Sequence, residues 1–489
     1  MKTNKIKILT YAFCGLMVMS SCEKQLDINQ DPDRLTGGQV TEAGLLPSAI
    51  QYTATSFWNV GQFGNFYPQY LAGNANQAAN IDSYNPYGFD NIWESAYLRA
   101  LPTLKDLRER AEQNNLPHYA GIAKLLTALT LMQSTDIWGD LPYSEAFNPS
   151  VTLSPRYDSQ EDIYNNYLKS LLDGAIADLS QPQPALASAR VGTTDLFYRG
   201  NIDRWLRAAY TARGRYYIHL SKKNAANAAL AVTDIDRGIN DATGASDLQL
   251  VYTTERNHPW FTNLSVTAAA SRYARPSKYF VDLLNGSLTG VYPALFDPRL
   301  PLLVDNGGAA SYIGRPVGTQ DNEQGANLAN TDITANTYYG KTTSPVPILT
   351  YAEAQFIKAE ALFSVNKLEA YNAYLSGIRA SMQKFGVSTA NADLYVNNPL
   401  ISKGFNALTL SDIMLQKYIA LFLQMETWTD MRRYDYDTNI YRGLTPPFTN
   451  RTNGAVQWIQ RGNYPDNEPG RNPNVPRIPN QGVKLWLFQ

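Results

Sequence analysis

The chain has 489 residues, with 42 Lys and Arg against 43 Asp and Glu, 17% charged residues and 32 Tyr. No basic excess exists to neutralise phosphates, which excludes a nucleic-acid binder, and the periodic apolar segments exclude a disordered chain. The length supports a large core or two to three sub-domains. Many Tyr and Trp with few charges suit neutral polyhydroxylated ligands, and they suit the polar loops of a large exported protein as well.

Lys2, Lys5 and Lys7 precede a short apolar stretch from Ile8 to Met19, followed by Ser20-Ser21-Cys22. The stretch is too short to span a bilayer and has the flanks of a signal peptide. The small residues before Cys22 resemble a bacterial lipoprotein cleavage site, with Met19 where Leu is commoner. That resemblance implies acylation of Cys22 and anchoring without spanning; the alternative is an ordinary cleaved signal peptide. Cys14 lies in the removed segment 1–21, which leaves no pair of cysteines for a disulfide and no thiol nucleophile or iron–sulfur site.

Residues 22–40 read as a polar tether, and a helix starts within Thr41 to Thr53. Residues 54–90 hold many aromatics, among them Trp58, Tyr67, Tyr84 and Tyr87, with no sustained period. They read as a long aromatic loop, either a binding-site wall or a satellite core. Asn91 to Glu112 reads as an amphipathic helix that Pro102 divides or kinks. After a turn at 114–117, Ile122, Leu125, Leu126, Leu129 and Met132 recur at helical spacing. That helix stops in a corner holding Asp136, Trp138, Gly139, Asp140, Pro142, Tyr143 and Glu145. One reading makes the corner a structural clamp, with Asp136 and Asp140 accepting the turn's free amides and Trp138 packed. The other makes it part of a ligand surface.

Further helices are expected over Asp158 to Ser180, Ile202 to Lys222 and Asn224 to Ile239. The pairs 91–112 with 119–137 and 202–222 with 224–239 read as helical hairpins, without a strict 34-residue repeat. Residues 241–345 read as loops with short strands, carrying one helix from Ser277 to Leu284. Helices resume over Thr350 to Phe363, Leu368 to Phe385 and Leu410 to Met425, the last with Ser411 as a cap. Beyond it, Glu426, Asp430, Arg432 and Arg433 suggest an ion-pair network beside a core Trp428. The expected division is a leader (1–21), a tether (22–40) and an N-terminal helical part (41–240). A variable region (241–345) and a C-terminal helical part with a loop-rich tail (346–489) follow.

Several stretches together resemble the SusD/RagB-like outer-membrane lipoproteins. They are the leader at Cys22, DPDRLT at 31–36, TDIWGDLPYSEAF at 135–147, TYAEAQFIKAEA at 350–361, QKYIALFLQMETWTDMRRY at 416–434 and VPRIP at 475–479. Their order covers essentially the whole chain. The resemblance implies a mainly all-α fold, a tetratricopeptide-like scaffold of helical hairpins with a loop-rich variable region. It implies a surface-exposed lipoprotein that sits as a lid on a SusC-like TonB-dependent transporter. Such a lid captures oligosaccharides, or peptides and other nutrients, without catalysis or cofactor.

Aromatic faces stack on sugar rings while sparse polar groups fix the hydroxyls. The candidates of that kind are Trp58, Tyr67, Tyr84 and Tyr87, then Trp260, Tyr273, Tyr279, Tyr312 and Tyr338; for each, packing is the competing reading. The three His are scattered and form no HExxH or other compact metal set. No P-loop or GxSxG elbow is present. A glycoside hydrolase would need two carboxylates across a cleft; a purely structural surface lipoprotein is the third class.

Overall fold

The computed structural model describes residues 40–489 apart from 149, 268–271, 321–322 and 453–455. The leader, Cys22 and the DPDRLT run at 31–36 lie outside the described residues. Thr41 opens helix α1 (Glu42–Gly64), its side chain accepting the Gly44 N–H, one of the donors a helix start leaves free. α1 buries Leu46, Ala49, Ile50, Ala54, Val60 and Phe63, a helical stripe that the intervening Thr, Gly and Gln hide in the sequence. The loop expected over 54–90 is corrected accordingly: Phe57, Trp58 and Phe63 belong to a helix. Only after Gly64 does the chain turn, into strand β1 (Leu71–Gly73) and a short helix, Asn76–Asp82.

Pro102 does not divide the next segment. Asp90–Trp93, a π-helical stretch Glu94–Ala100 and helix α2 (Leu101–Gln113) run on end to end. Pro is tolerated in the first turn of a helix, and the π spacing just ahead of it has already reset the hydrogen-bond ladder. Helices α3 (Pro117–Trp138), α4 (Lys169–Leu179), α5 (Ile202–His219) and α6 (Ala226–Ile235) follow. After the loop-rich stretch, which carries α7 (Lys278–Asn285), come α8 (Tyr351–Leu362), α9 (Lys367–Phe385) and α10 (Thr389–Val396). The last two are α11 (Leu410–Ala420) and α12 (Glu426–Arg433).

The helices stack in the order α2, α3, α4, α5, α6, α8, α9, with α11 against α8 and α9 and α1 along α2 and α3. The architecture is mainly helical and tetratricopeptide-like. Small residues set the spacing. A Cβ added to Gly121 of α3 would stand 2.8 Å from Leu179 of α4, and one on Gly214 of α5 2.7 Å from Ile235 of α6. Close helix approach at both seams thus depends on the missing side chain.

Three boundaries differ from the sequence reading. The helix expected over Leu410 to Met425 ends at Ala420, and Leu423, at a positive φ of 63°, lies in the turn that leads to α12. Thr409, not Ser411, caps α11, in a capping box with Asp412; Ser411 Oγ instead donates to the Ile440 carbonyl at 2.7 Å. Helix α10, capped by Ser388, was hidden in a stretch of mixed composition.

The strands form two antiparallel ribbons among the described residues. β1 pairs with β3 (Ala274–Pro276), and β2 (Leu248–Val251) with β4 (Pro345–Leu349). The first ribbon is pinned by Asp82, whose Oδ2 accepts the Gly73 N–H at 2.7 Å and the Gly318 N–H at 3.0 Å. Burial drives the Asp82 carboxyl up to about 7, against the pull of those two amides and of Arg315. In the unfolded chain it titrates near ~3.9. Between those values the native state holds a proton the unfolded state has lost, so this group makes stability fall as pH rises from about 4 to 7. Asp82→Asn keeps an oxygen for both amides and should flatten that slope, by up to ~1.4 kcal/mol per pH unit. Urea unfolding from pH 4.5 to 8 measures it, and an unchanged slope would remove Asp82 as its source.

Residues 456–489 have little regular structure and lie across the end of α3. The Gly462 N–H donates to the Ile137 carbonyl at 2.8 Å, and Trp138 Nε1 donates to the Asn463 carbonyl at 2.7 Å.

Candidate ligand-binding cleft

The corner after α3 is bound from every side. Gly139 takes a φ of 83°, open to glycine and costly for other residues, and lets the chain turn under Leu485, 2.9 Å from an added Cβ. Thr135 Oγ1 donates to the Gly139 carbonyl at 2.6 Å, and the Tyr464 hydroxyl to the Asp140 carbonyl at 2.7 Å. Asp140 accepts the Gln160 N–H at 2.9 Å. Gln160 reaches on to the Thr135 carbonyl at 2.8 Å and accepts the Leu487 N–H at 2.9 Å. The amides of Tyr143 and Ser144 go to Asp158, while Glu145 accepts the Arg156 N–H at 3.0 Å. Pro142 is buried and Tyr143 half-buried. Asp158 and Gln160 carry no local sequence signal for this, lying 14 to 25 residues from their partners in the corner.

Asp136 takes a different part from the amide acceptor expected of it. Its carboxylate accepts the Tyr164 hydroxyl at 2.6 Å and stands 3.5 Å from His219. His219 Nε2 lies 2.6 Å from Glu426, and Glu426 lies 3.5 Å from Arg215, which forks onto Glu353 at 2.6 Å. Burial raises the Asp136 carboxyl, against His219 and Tyr164. Burial also pushes Glu426 up, but His219 and Arg215 outweigh it and hold that carboxyl well below the usual range. A second set joins Asp430 to Arg433 at 2.6 Å and to Lys417 at 2.7 Å, with Arg433 on Glu360 at 2.7 Å. Trp428 is fully buried and carries the Arg432 guanidinium 3.6 Å from its ring centroid. These charges are spent on one another: they bolt α3, α5, α8, α11 and α12 together.

Above the first set lies a cleft between α1, α3, α12 and the segments 258–260 and 345–348. Trp58 and Trp260 meet on its wall, ring centroids 6.0 Å apart and edge to face. Phe57, Trp58, Gln133 and Glu426 are part-exposed at its rim, and Asp136, Arg215 and Arg432 lie deeper. Trp58 Nε1 is buried and has no hydrogen-bond partner among the protein's own groups. His258 Nδ1 accepts the Trp260 N–H at 3.2 Å, and burial pulls its imidazole down to about 3, so it stays neutral. The enclosed volume is about 60 Å³. That holds a few waters and falls far below the ~300–1,000 Å³ of small-molecule sites.

The other aromatic candidates lie elsewhere. Tyr67, Tyr84, Tyr87 and Tyr279 are interior. Tyr67 packs 4.9 Å from Trp428, and Phe63, Tyr87 and Phe89 continue the same cluster. Rings that stack on one another gain more by leaving water than by facing it, so the wall expected over 57–89 is mostly core. Tyr312 packs beside Phe296 and Tyr338 beside Phe385, neither at the cleft. Tyr273 is half-buried, and its hydroxyl is buried without a hydrogen-bond partner. The sequence reading missed Phe57, Gln133, Arg215 and His258 as cleft residues; only the His-Pro-Trp run at 258–260 offered a signal. Among the described residues no group of three or more His, Cys, Asp or Glu is placed to hold a metal, and no helix is long and apolar enough to cross a membrane.

The SusD-like family described as starch-binding and associating with the outer membrane matches residues 32–465. Among solved structures, the chain is similar to a SusD homolog from Bacteroides uniformis ATCC 8492, at 21% identity, covering 91% of this chain and 99% of that one, with a TM-score of 0.73. A SusD/RagB family protein from Bacteroides thetaiotaomicron VPI-5482 is 22% identical over 92% and 99%, with a TM-score of 0.74. A chitin-binding SusD homolog from Flavobacterium johnsoniae is 20% identical over 92% and 98%, also at 0.74. At these identities the likeness is one of fold. No curated protein matches the chain.

Proposed function

Since the chain belongs to the SusD-like family of outer-membrane-associated, non-catalytic nutrient binders, we propose that it captures an oligosaccharide at the cleft mouth and passes it to a SusC-like TonB-dependent transporter. The family match over 32–465 carries the general role. The Trp58–Trp260 pair, with its unpartnered indole donor, supports the place. A saccharide too large for 60 Å³ lies across the mouth. Its ring covers the part-exposed Trp58 face, a hydroxyl meets Gln133, and Trp260 holds Trp58 from behind. From the variable stretch 241–345, His258 and Trp260 join that surface. A lipid on Cys22 and the tether 22–40 keep the body at the outer membrane, facing outward as a lid on its barrel. The description of the Flavobacterium johnsoniae relative as chitin-binding favours a saccharide over a peptide.

Calorimetry against a glycan panel tests the site. Trp58→Ala should weaken the best-binding oligosaccharide about tenfold, or ~1.4 kcal/mol, while Tyr312→Ala leaves it unchanged. Equal affinity in Trp58→Ala and the parent would dismiss the cleft. Co-purification from native outer membranes tests the partner: a large barrel should accompany the chain, and its absence would count against the transporter pairing.

A further inference from the structure

A second concave surface lies on the far side of α3. Leu129 lines the cleft and Thr127 lines this groove; two residues apart on a helix point nearly opposite ways. The groove runs between α2, the π-helical stretch Ile163–Leu168 before α4, and the segment that leaves the corner. It encloses about 470 Å³, within the range of small-molecule sites.

Three aromatic rings wall it. Tyr143 and Tyr167 meet edge to face at 5.2 Å. Phe147, held at a positive φ of 61°, is braced at 5.8 Å by Tyr97. Asn166 and Ser170 are exposed along the edge. In the middle stands Arg108, half-buried on α2. Its guanidinium reaches the Tyr143 hydroxyl, its buried Nε has no partner, and no carboxylate among the described residues pairs with it. Its neighbours are matched: Lys105 holds Glu109 at 2.7 Å, and Arg156 at the rim holds Asp158 at 3.2 Å. An unmatched guanidinium in a part-buried groove is a fork waiting for a planar anion. The rings beside it offer flat apolar faces, and Asn166 and Ser170 offer hydroxyl-sized polar contacts.

We propose that this groove is a second binding site, separate from the Trp58 cleft, for the uronic acid unit of an acidic saccharide. The carboxylate sits on Arg108 and the sugar ring packs against Tyr143, Tyr167 and Phe147. The site goes beyond the uptake reading and does not require the cleft.

The test is calorimetry on the mature chain with oligogalacturonate, with a neutral oligosaccharide of equal length, and with a tripeptide carrying a free carboxylate. Oligogalacturonate should bind and weaken with added salt, and Arg108→Gln should reduce its affinity at least tenfold. Arg108→Lys, which keeps the charge and loses the fork, should fall between. Arg108 has no ion pair to lose, so the variants should melt as the parent does; should one fail to fold, Tyr167→Ala gives an independent loss of the ring contact. Trp58→Ala should leave oligogalacturonate binding intact. The proposal is overturned if oligogalacturonate does not bind, if Arg108→Gln binds it as the parent does, if Trp58→Ala abolishes it, or if the tripeptide binds as tightly.

Discussion

Replacing Arg432 by alanine should destabilise the chain by about 3–5 kcal/mol, a large share of the ~5–15 kcal/mol that a folded protein commonly has. The side chain is almost wholly buried. Its guanidinium lies between the rings of Trp428, at 3.6 Å, and Phe488, at 4.5 Å. It donates to the Asp136 carbonyl, to the Gln460 carbonyl at 3.1 Å and to Thr429 at 3.2 Å. One residue of α12 thereby ties the end of α3 to the tail. Burial pulls its pKa down to about 10, which still leaves it charged at neutral pH. Alanine would strand two buried carbonyls, remove a stacked cation and open a void under the cleft. Arg432→Lys should recover part of the loss, because it restores the charge but cannot reach all the acceptors. Urea unfolding measures both, and a loss below ~1 kcal/mol would show that the tail is held by other contacts.

Glu353→Ala should cost a similar ~3–5 kcal/mol by a different route. Arg215 and Glu353 form a bidentate pair across α5 and α8, with Glu353 wholly buried. Removing the carboxylate leaves the guanidinium with the Ile348 carbonyl at 2.6 Å and a looser Glu426 at 3.5 Å. The double variant Arg215→Met with Glu353→Leu should lose less than the two single changes together, by a coupling of ~0.5–3 kcal/mol. It should still lie below the parent, since Glu426 would then lose Arg215 and keep His219 as its near partner. Strict additivity in the double-mutant cycle would show that the two residues do not act as a pair.

Much of the scaffold was legible because helix spacing survives in the sequence wherever one face is buried. Ile122 to Met132, Trp205 to Tyr216 and the run from Tyr351 all fall on helices. The second half of α1 is not legible in the sequence because its buried stripe includes Thr53, Ser56 and Gly61, residue types common in loops. The corner residues stood out, but their partners did not. Asp158, Gln160 and the tail carbonyls that receive Trp138 and Arg432 are set by tertiary approach, which no local pattern encodes. The aromatics of 63–89 posed the same difficulty: a Tyr on a sugar-binding wall and a Tyr in a core look alike until burial separates Tyr67 from Trp58.

The contact between Trp138 and the Asn463 carbonyl spans 325 residues. At synthesis rates of about 5–20 residues per second, roughly 15–65 s pass between the two becoming available. Throughout that interval the residues of α3 have been made, and the segment that covers its end does not yet exist. The end of α3 can therefore be closed only once nearly the whole chain has been made.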